Sequence, residues 1–213
     1  LRLRLVPWLV SYAVGTLVGV ALLALVPEAL TQLAPRVAML TLAGGILSFF
    51  LLEKAVIWRH CHDEVGCHVH SSAASLVIIG DAFHTFVDGA LIAAAVITSI
   101  PLGVTTAIAV AAHEIPQEVG DVAILLRAGY SRGRAFVLNL LAATGGVLGA
   151  AAMVMASRIV PQTLPYVLAF AAGNFLYVAM ADLIPGLHKD GDPTGGVRQM
   201  LLIGAGIATI SLL

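Results

Sequence analysis

Residues 102–126 read LGVTTAIAVAAHEIPQEVGDVAILL. A helix of that length rises about 37 Å, enough to cross the roughly 30 Å of hydrocarbon in a bilayer. Both ends are apolar and no Lys or Arg interrupts the stretch, yet its middle holds His113, Glu114, Gln117, Glu118 and Asp121. In lipid, backbone groups must be satisfied within their own segment, so such a stretch is a transmembrane helix. On it His113 and Gln117 are spaced i, i+4, and Glu114, Glu118 and Asp121 are spaced i, i+4, i+7. At about 100° per residue, all five fall within an arc of about 140°.

The preceding apolar segment carries a matching set. Residues 80–89 read GDAFHTFVDG, which puts Asp81, His84 and Asp88 on one helical face at i, i+3, i+7. The two segments hold five carboxylates, Asp81, Asp88, Glu114, Glu118 and Asp121, and no basic residue. An ionised carboxylate in hydrocarbon costs at least a few kcal/mol. Internal ion pairing is ruled out for want of a partner. Protonation could cover one or two acids but does not account for two histidines on the same faces. A bound cation neutralises several acids at once, and His with carboxylates suits zinc, iron, manganese or cadmium. His84, Asp88, His113 and Glu114 lie near mid-span, while Asp81 and Asp121 lie toward one common end. That pattern reads as a site with an exit path. Pro116 removes a backbone donor, frees a carbonyl near residue 112 and predicts a bend at the site.

The rest of the chain extends the same pattern. Of its 213 residues, 60% are hydrophobic and 11% charged, with 21 glycines and a mean hydropathy of +1.00. A soluble domain needs more charged surface than this. The expected fold is all-α, a polytopic membrane helix bundle in a single domain over 1–213. Seven spans are visible, at about 5–26, 37–57, 73–98, 102–126, 134–157, 160–185 and 197–213. A net charge of -1 gives no general attraction to nucleic acid. No cleavable signal pattern is present. Alternate span ends divide the 11 Lys and Arg nine against two. The first set contains Arg2, Arg4, Lys54, Arg59, Arg127, Arg132, Arg134, Lys189 and Arg198, and the second Arg36 and Arg158. The positive-inside bias therefore places the visible N-terminus in the cytoplasm and the C-terminus outside.

Residues 13–27 and 171–185 resemble each other. Gly15 and Pro27 in the first match Gly173 and Pro185 in the second, 12 residues apart in both. The copies run in opposite directions across the membrane, the mark of an inverted repeat. The repeat also implies one further helix before the first, giving eight in the intact protein.

These motifs resemble those of the ZIP (zinc- and iron-regulated transporter-like) family of metal importers. Residues 113–121 are similar to its His-Glu-x-Pro-His-Glu-x-Gly-Asp signature, found in a subfamily that includes many animal zinc importers. Residues 84–89 are similar to its His-Asn-x-x-Asp-Gly signature, and the two repeat copies resemble its second and seventh helices. The resemblance covers essentially the whole chain. It implies eight helices, seven of them visible here, and metal import with Zn2+ as the substrate and Cd2+ as a surrogate. It also implies a homodimer in a bacterial inner membrane and a metal centre at His84, Asp88, His113, Glu114 and Gln117, with Asp88 bridging. Departures occur. Gln117 replaces a His and Thr85 an Asn. Val20, Ala24 and Gly186 stand where relatives often carry Asp, His and Glu. One good site is expected. Thr85, Glu118, Asp81 and Asp121 stand as a second metal position or a pathway.

Other features carry less. His60, Cys61, His62, Cys67, His68 and His70 fall in a cytoplasmic loop over 59–72, with two readings, a metal-gathering tract or a dispensable loop. In the cytoplasm the two cysteines are expected as free thiols. Asn174 and Asp182 read as a polar interior pair or part of the pathway. Among rival functions, an intramembrane metalloprotease needs His-Glu-x-x-His on one helix, and the fifth position here is Gln117. A metal exporter or proton-coupled antiporter would use the same ligands. A non-transporting sensor would need neither the repeat nor the inward acidic path. There is no P-loop, so the driving force is the metal gradient, the membrane potential or a coupled proton.

Overall fold

A computed structural model describes residues 2–60, 69–188 and 195–213. All the regular structure among them is helical and forms seven rods in chain order. Helix α1 comprises Arg2–Gly19, a π-helical segment Val20–Leu25 and Val26–Gln32. Helices α2, α3, α4 and α5 are Pro35–His60, Val69–Thr98, Ile100–Arg127 and Arg132–Ile159. Helix α6 opens on a 3₁₀ turn, Pro161–Thr163, and continues through Leu164–Tyr177, a π-helical segment Val178–Leu183 and Ile184–His188. Helix α7 is Gly195–Leu212.

Six of these are long and apolar enough to cross a membrane, α4 being the exception. At 28 residues α4 has the length, but its polar cluster lowers its hydropathy. It starts cleanly, with the Ser99 hydroxyl accepting from the Leu102 amide and Pro101 in the first turn. It then runs through Pro116 as one helix. The outer faces carry large apolar side chains in the open, such as Leu47 at 60%, Leu148 at 63% and Met200 at 75% exposure. Such faces suit lipid rather than water.

Several helices outrun the spans expected from sequence. Helix α1 continues past Pro27 to Gln32, and α6 past Pro185 to His188. The cause is the same in both. A proline ring clashes with the carbonyl four residues earlier, and a widened π turn just before it relieves the clash. The Val26 amide bonds back five residues to Ala21, and the Ile184 amide five residues to Ala179. Helices α2 and α3 also extend into the expected 59–72 loop, so His60 ends α2 and His70 lies in the first turn of α3. Cys61, His62, Cys67 and His68 lie outside the described residues.

The repeat is visible in packing as well. A Cβ on Gly15 would strike the Ile203 carbonyl of α7, and one on Gly173 the Leu42 carbonyl of α2. A Cβ on Gly206 would strike the Tyr12 carbonyl of α1, and one on Gly45 the Phe170 carbonyl of α6. The α1–α7 crossing is thus repeated residue for residue by the α6–α2 crossing. Small residues let backbones approach this closely in membrane bundles. A third pair, α3 with α5, is locked similarly, with Gly89 against Gly146 and Gly149 against Phe86. The buried core lies where α1, α3, α4 and α6 meet, around Leu17, Leu25, Leu91, Ala109, Leu168 and Phe175.

Candidate metal site

Helices α3 and α4 pack against each other and bring their polar faces together at the centre of the bundle. His84 and Asp88 come from successive turns of α3, and His113 and Glu114 from one turn of α4. The first three are buried, His113 to 1% exposure, and Glu114 is partly buried. Four atoms converge. His84 Nε2 lies 3.3 Å from His113 Nε2, 3.4 Å from Glu114 Oε1 and 3.8 Å from Asp88 Oδ2. His113 Nε2 lies 3.1 Å from Asp88 Oδ2 and 3.9 Å from Glu114 Oε1.

Those separations can be set against a metal's demands. Zinc holds N and O ligands at about 2.0–2.2 Å in a tetrahedron, so neighbouring ligand atoms sit about 3.3–3.6 Å apart. Of two imidazole nitrogens and two carboxylate oxygens, the one nitrogen–nitrogen and four nitrogen–oxygen separations run from 3.1 to 3.9 Å and come close to that frame. Asp88 Oδ2 and Glu114 Oε1 are buried without a hydrogen-bond partner. Orphaned acceptors are costly in a low-dielectric interior, and a cation between them removes the cost.

The surroundings hold the ligands in place. His113 Nδ1–H donates to the Ala109 carbonyl at 3.0 Å, which leaves Nε2 as the free lone pair for a metal. The Phe175 ring of α6 meets His113 edge-on at 5.9 Å between centroids, and the Phe49 ring of α2 meets His84 edge-on at 5.6 Å. A cavity of about 450 Å³ opens beside the site between α3, α4 and α5, with Asp88 and Glu114 on its wall amid apolar residues.

The other sequence candidates are placed as follows. Gln117 is partly buried one turn beyond His113 on α4. Thr85 is buried, and its hydroxyl lies 3.0 Å from the Ala142 carbonyl of α5 and 3.1 Å from the Asp81 carbonyl. It therefore ties α3 to α5 in this structure. Asp81 and Glu118 join Glu114 in a second group, with one carboxylate oxygen from each within 4.8 Å of the others. Asp121, partly buried one turn further along α4, belongs to neither group. Asn174 is buried with its Oδ1 unpartnered. Sequence reasoning missed Phe49, Phe175 and Asn139. The last reaches from α5 to donate its Nδ2–H to Glu118 Oε2. Asn139 had a signal, being an amide in an otherwise apolar span; the two phenylalanines had none.

Membrane-length helices closing on a buried cluster of this chemistry define a polytopic membrane protein built to handle a cation. The ZIP Zinc transporter family model matches residues 58–213. Zinc transporter ZIP13 of Pongo abelii is 35% identical over 220 residues, covering 96% of this chain and 65% of its own length. The Homo sapiens ZIP13 is 32% identical, over 96% of this chain and 69% of its own. Zinc transporter ZIP10 of Mus musculus is 37% identical over 66% of this chain and 19% of its own length. The chain belongs to the ZIP zinc transporter family, a family of transporters rather than enzymes. It spans 65% of the length of the first of these relatives, a little under two thirds.

Proposed function

We propose that this chain carries Zn2+ across the membrane, with Cd2+, Fe2+ and Mn2+ as further divalent ions its donors fit. The observation that carries the reading is the convergence of His84 Nε2, His113 Nε2, Asp88 Oδ2 and Glu114 Oε1, the last two with no other partner. Gln117, one turn along α4, supplies a further oxygen as the ion arrives or leaves. The metal enters from outside, exchanges water for these ligands, and leaves past Asp81 and Asp121 to the cytoplasm. The matched α1–α7 and α6–α2 crossings support two halves that move against each other to alternate access. The driving force is the metal gradient, the membrane potential or a coupled proton.

The setting proposed is a bacterial inner membrane, with the chain as a homodimer in lipid, Arg2 on the cytoplasmic side and Leu213 outside. Within the family, the closeness of residues 113–121 to the His-Glu-x-Pro-His-Glu-x-Gly-Asp signature supports membership of that subfamily. Residues 60–70, with His60, Cys61, His62, Cys67, His68 and His70, would gather metal on the cytoplasmic side. Zinc flux into proteoliposomes containing the intact protein tests the reading. Uptake that His84→Ala and Glu114→Ala both abolish is expected. Metal binding without flux in either direction would contradict it.

A further inference from the structure

The turn between α4 and α5 carries three arginines in eight residues, Arg127, Arg132 and Arg134. All three are exposed, and none is paired with a carboxylate among the described residues. The chain supplies little counter-charge here, since residues 122–181 hold four arginines and no Asp or Glu. The turn is also fixed in shape. The Tyr130 amide donates to the Leu125 carbonyl and the Gly129 amide to the Leu126 carbonyl, both at 3.1 Å. Gly129 sits at φ 89°, a conformation that glycine alone adopts without strain. The Ser131 hydroxyl caps α5 by accepting from the Arg134 amide at 3.4 Å. Beneath the turn Leu125 and Ala135 are fully buried, with Ile78, Ala128, Tyr130 and Leu138 packed around them. The Arg134 guanidinium lies over the Tyr130 ring, 5.1 Å from its centroid, a stacking that uses its flat face and not its N–H edge. Leu126 and Phe136 flank the turn and are exposed. Such side chains belong among acyl chains, so the arginines beside them stand at the level of the headgroups.

We propose that Arg127, Arg132 and Arg134 bind the headgroup of an anionic phospholipid, whose acyl chains lie along the exposed apolar faces of α4 and α5. The positive-inside bias accounts for basic residues at this end of the helices. It does not account for a turn of fixed shape, or for arginine at all three positions. A guanidinium fork grips phosphate oxygens in pairs, whereas a lysine meets them as a point charge. An anionic lipid brings the counter-charge that the chain lacks here, and a zwitterionic one cancels its phosphate with its own ammonium. The lipid ties the α4–α5 hairpin, and so the helix that bears His113 and Glu114, to the membrane surface. The proposal depends on α4 and α5 spanning the bilayer and not on what the metal site does.

Native mass spectrometry of the intact protein in mild detergent resolves each lipid bound during titration with palmitoyl-oleoyl phosphatidylglycerol or the phosphatidylcholine of the same chains. With about fivefold gained per arginine at an anionic headgroup, the first phosphatidylglycerol should bind at least about tenfold more tightly than the first phosphatidylcholine. Arg127→Gln, Arg132→Gln and Arg134→Gln together should bring that ratio to within about twofold of unity. Zn2+ binding retained in the triple variant shows that it is folded. Arg36→Gln with Arg158→Gln removes two charges at the opposite ends of the helices and should leave the ratio as in the wild type. Equal affinities for the two lipids in the wild type would overturn the proposal. So would a preference that survives the triple variant, or one lost equally in the Arg36 and Arg158 variant. Should the triple variant not fold, a phosphatidylglycerol with a photoreactive headgroup decides the matter on the wild type. Crosslinks within residues 124–137 support the proposal, and crosslinks confined to other segments overturn it.

Discussion

His84 and His113 face each other across the α3–α4 interface with their Nε2 atoms 3.3 Å apart. Because His113 Nδ1 is committed to the Ala109 carbonyl, its Nε2 presents a lone pair to His84. That pair is satisfied either by an N–H from His84 or by an ion shared between the rings. The two orphaned carboxylate oxygens beside them favour the ion.

Removing either ring should therefore remove the site rather than trim it. His84→Ala and His113→Ala are each expected to lower zinc affinity by at least about 100-fold, more than the 10–100-fold typical of outer-shell changes. Titration calorimetry against a competing chelator reads this directly. A loss below tenfold in either variant would count against a site with both histidines as ligands.

Acid should empty the site. Both imidazoles must be unprotonated at Nε2 and both carboxylates ionised to bind, so metal and protons compete. Binding is strongest where all four are deprotonated and falls as pH falls, with up to about tenfold lost per pH unit for each proton taken up. The fall should be visible on acidification from about pH 7 to about pH 5, as protons displace the ion from its ligands. Zinc affinity measured at half-unit intervals checks it, and an affinity flat over that range would contradict it.

The aromatic wall should matter for stability as well as for the site. Phe175 is among the largest fully buried side chains and rests on His113. Phe175→Ala is expected to cost about 3–5 kcal/mol, whereas Phe136→Ala, at 63% exposure, should cost far less. Thermal unfolding in detergent ranks the two. Equal effects would mean that the core does not lie where α4 meets α6.

The matched crossings make a paired prediction. Gly15→Leu and Gly173→Leu each force a side chain onto a backbone carbonyl of the neighbouring helix, with no flexible group in the way to yield. Each should destabilise by more than about 1–3 kcal/mol, the usual cost of overpacking, and by similar amounts. Gly44→Leu, where nothing lies within 4 Å of the added Cβ, is the control. A large difference between the first two would argue against the repeat as a structural unit.

Much of this was legible in the residues themselves. Residues 102–126 announce a membrane helix with a polar core, and the i, i+3, i+7 spacing of Asp81, His84 and Asp88 puts that helix's partner face in view. The Gly15–Pro27 and Gly173–Pro185 spacing carries the repeat. The helix ends were misjudged because a proline ordinarily terminates a helix, and nothing local tells that a π turn will absorb it. Phe49 and Phe175 were invisible because an aromatic in an apolar helix looks the same whether it meets lipid or a ligand. The separate grouping of Asp81 with Glu118 depends on how α3 and α4 align, which spacing along either helix alone does not give.

The central claim is that one ion is held by two imidazoles and two carboxylates drawn from α3 and α4. X-ray absorption at the zinc edge of the loaded, intact protein tests it most directly. A first shell of four N/O ligands at about 2.0–2.1 Å with outer-shell scattering from two imidazoles is the expected result, falling to one imidazole in His113→Ala. A shell with no imidazole in the wild type, or one unchanged by His113→Ala, would contradict the account.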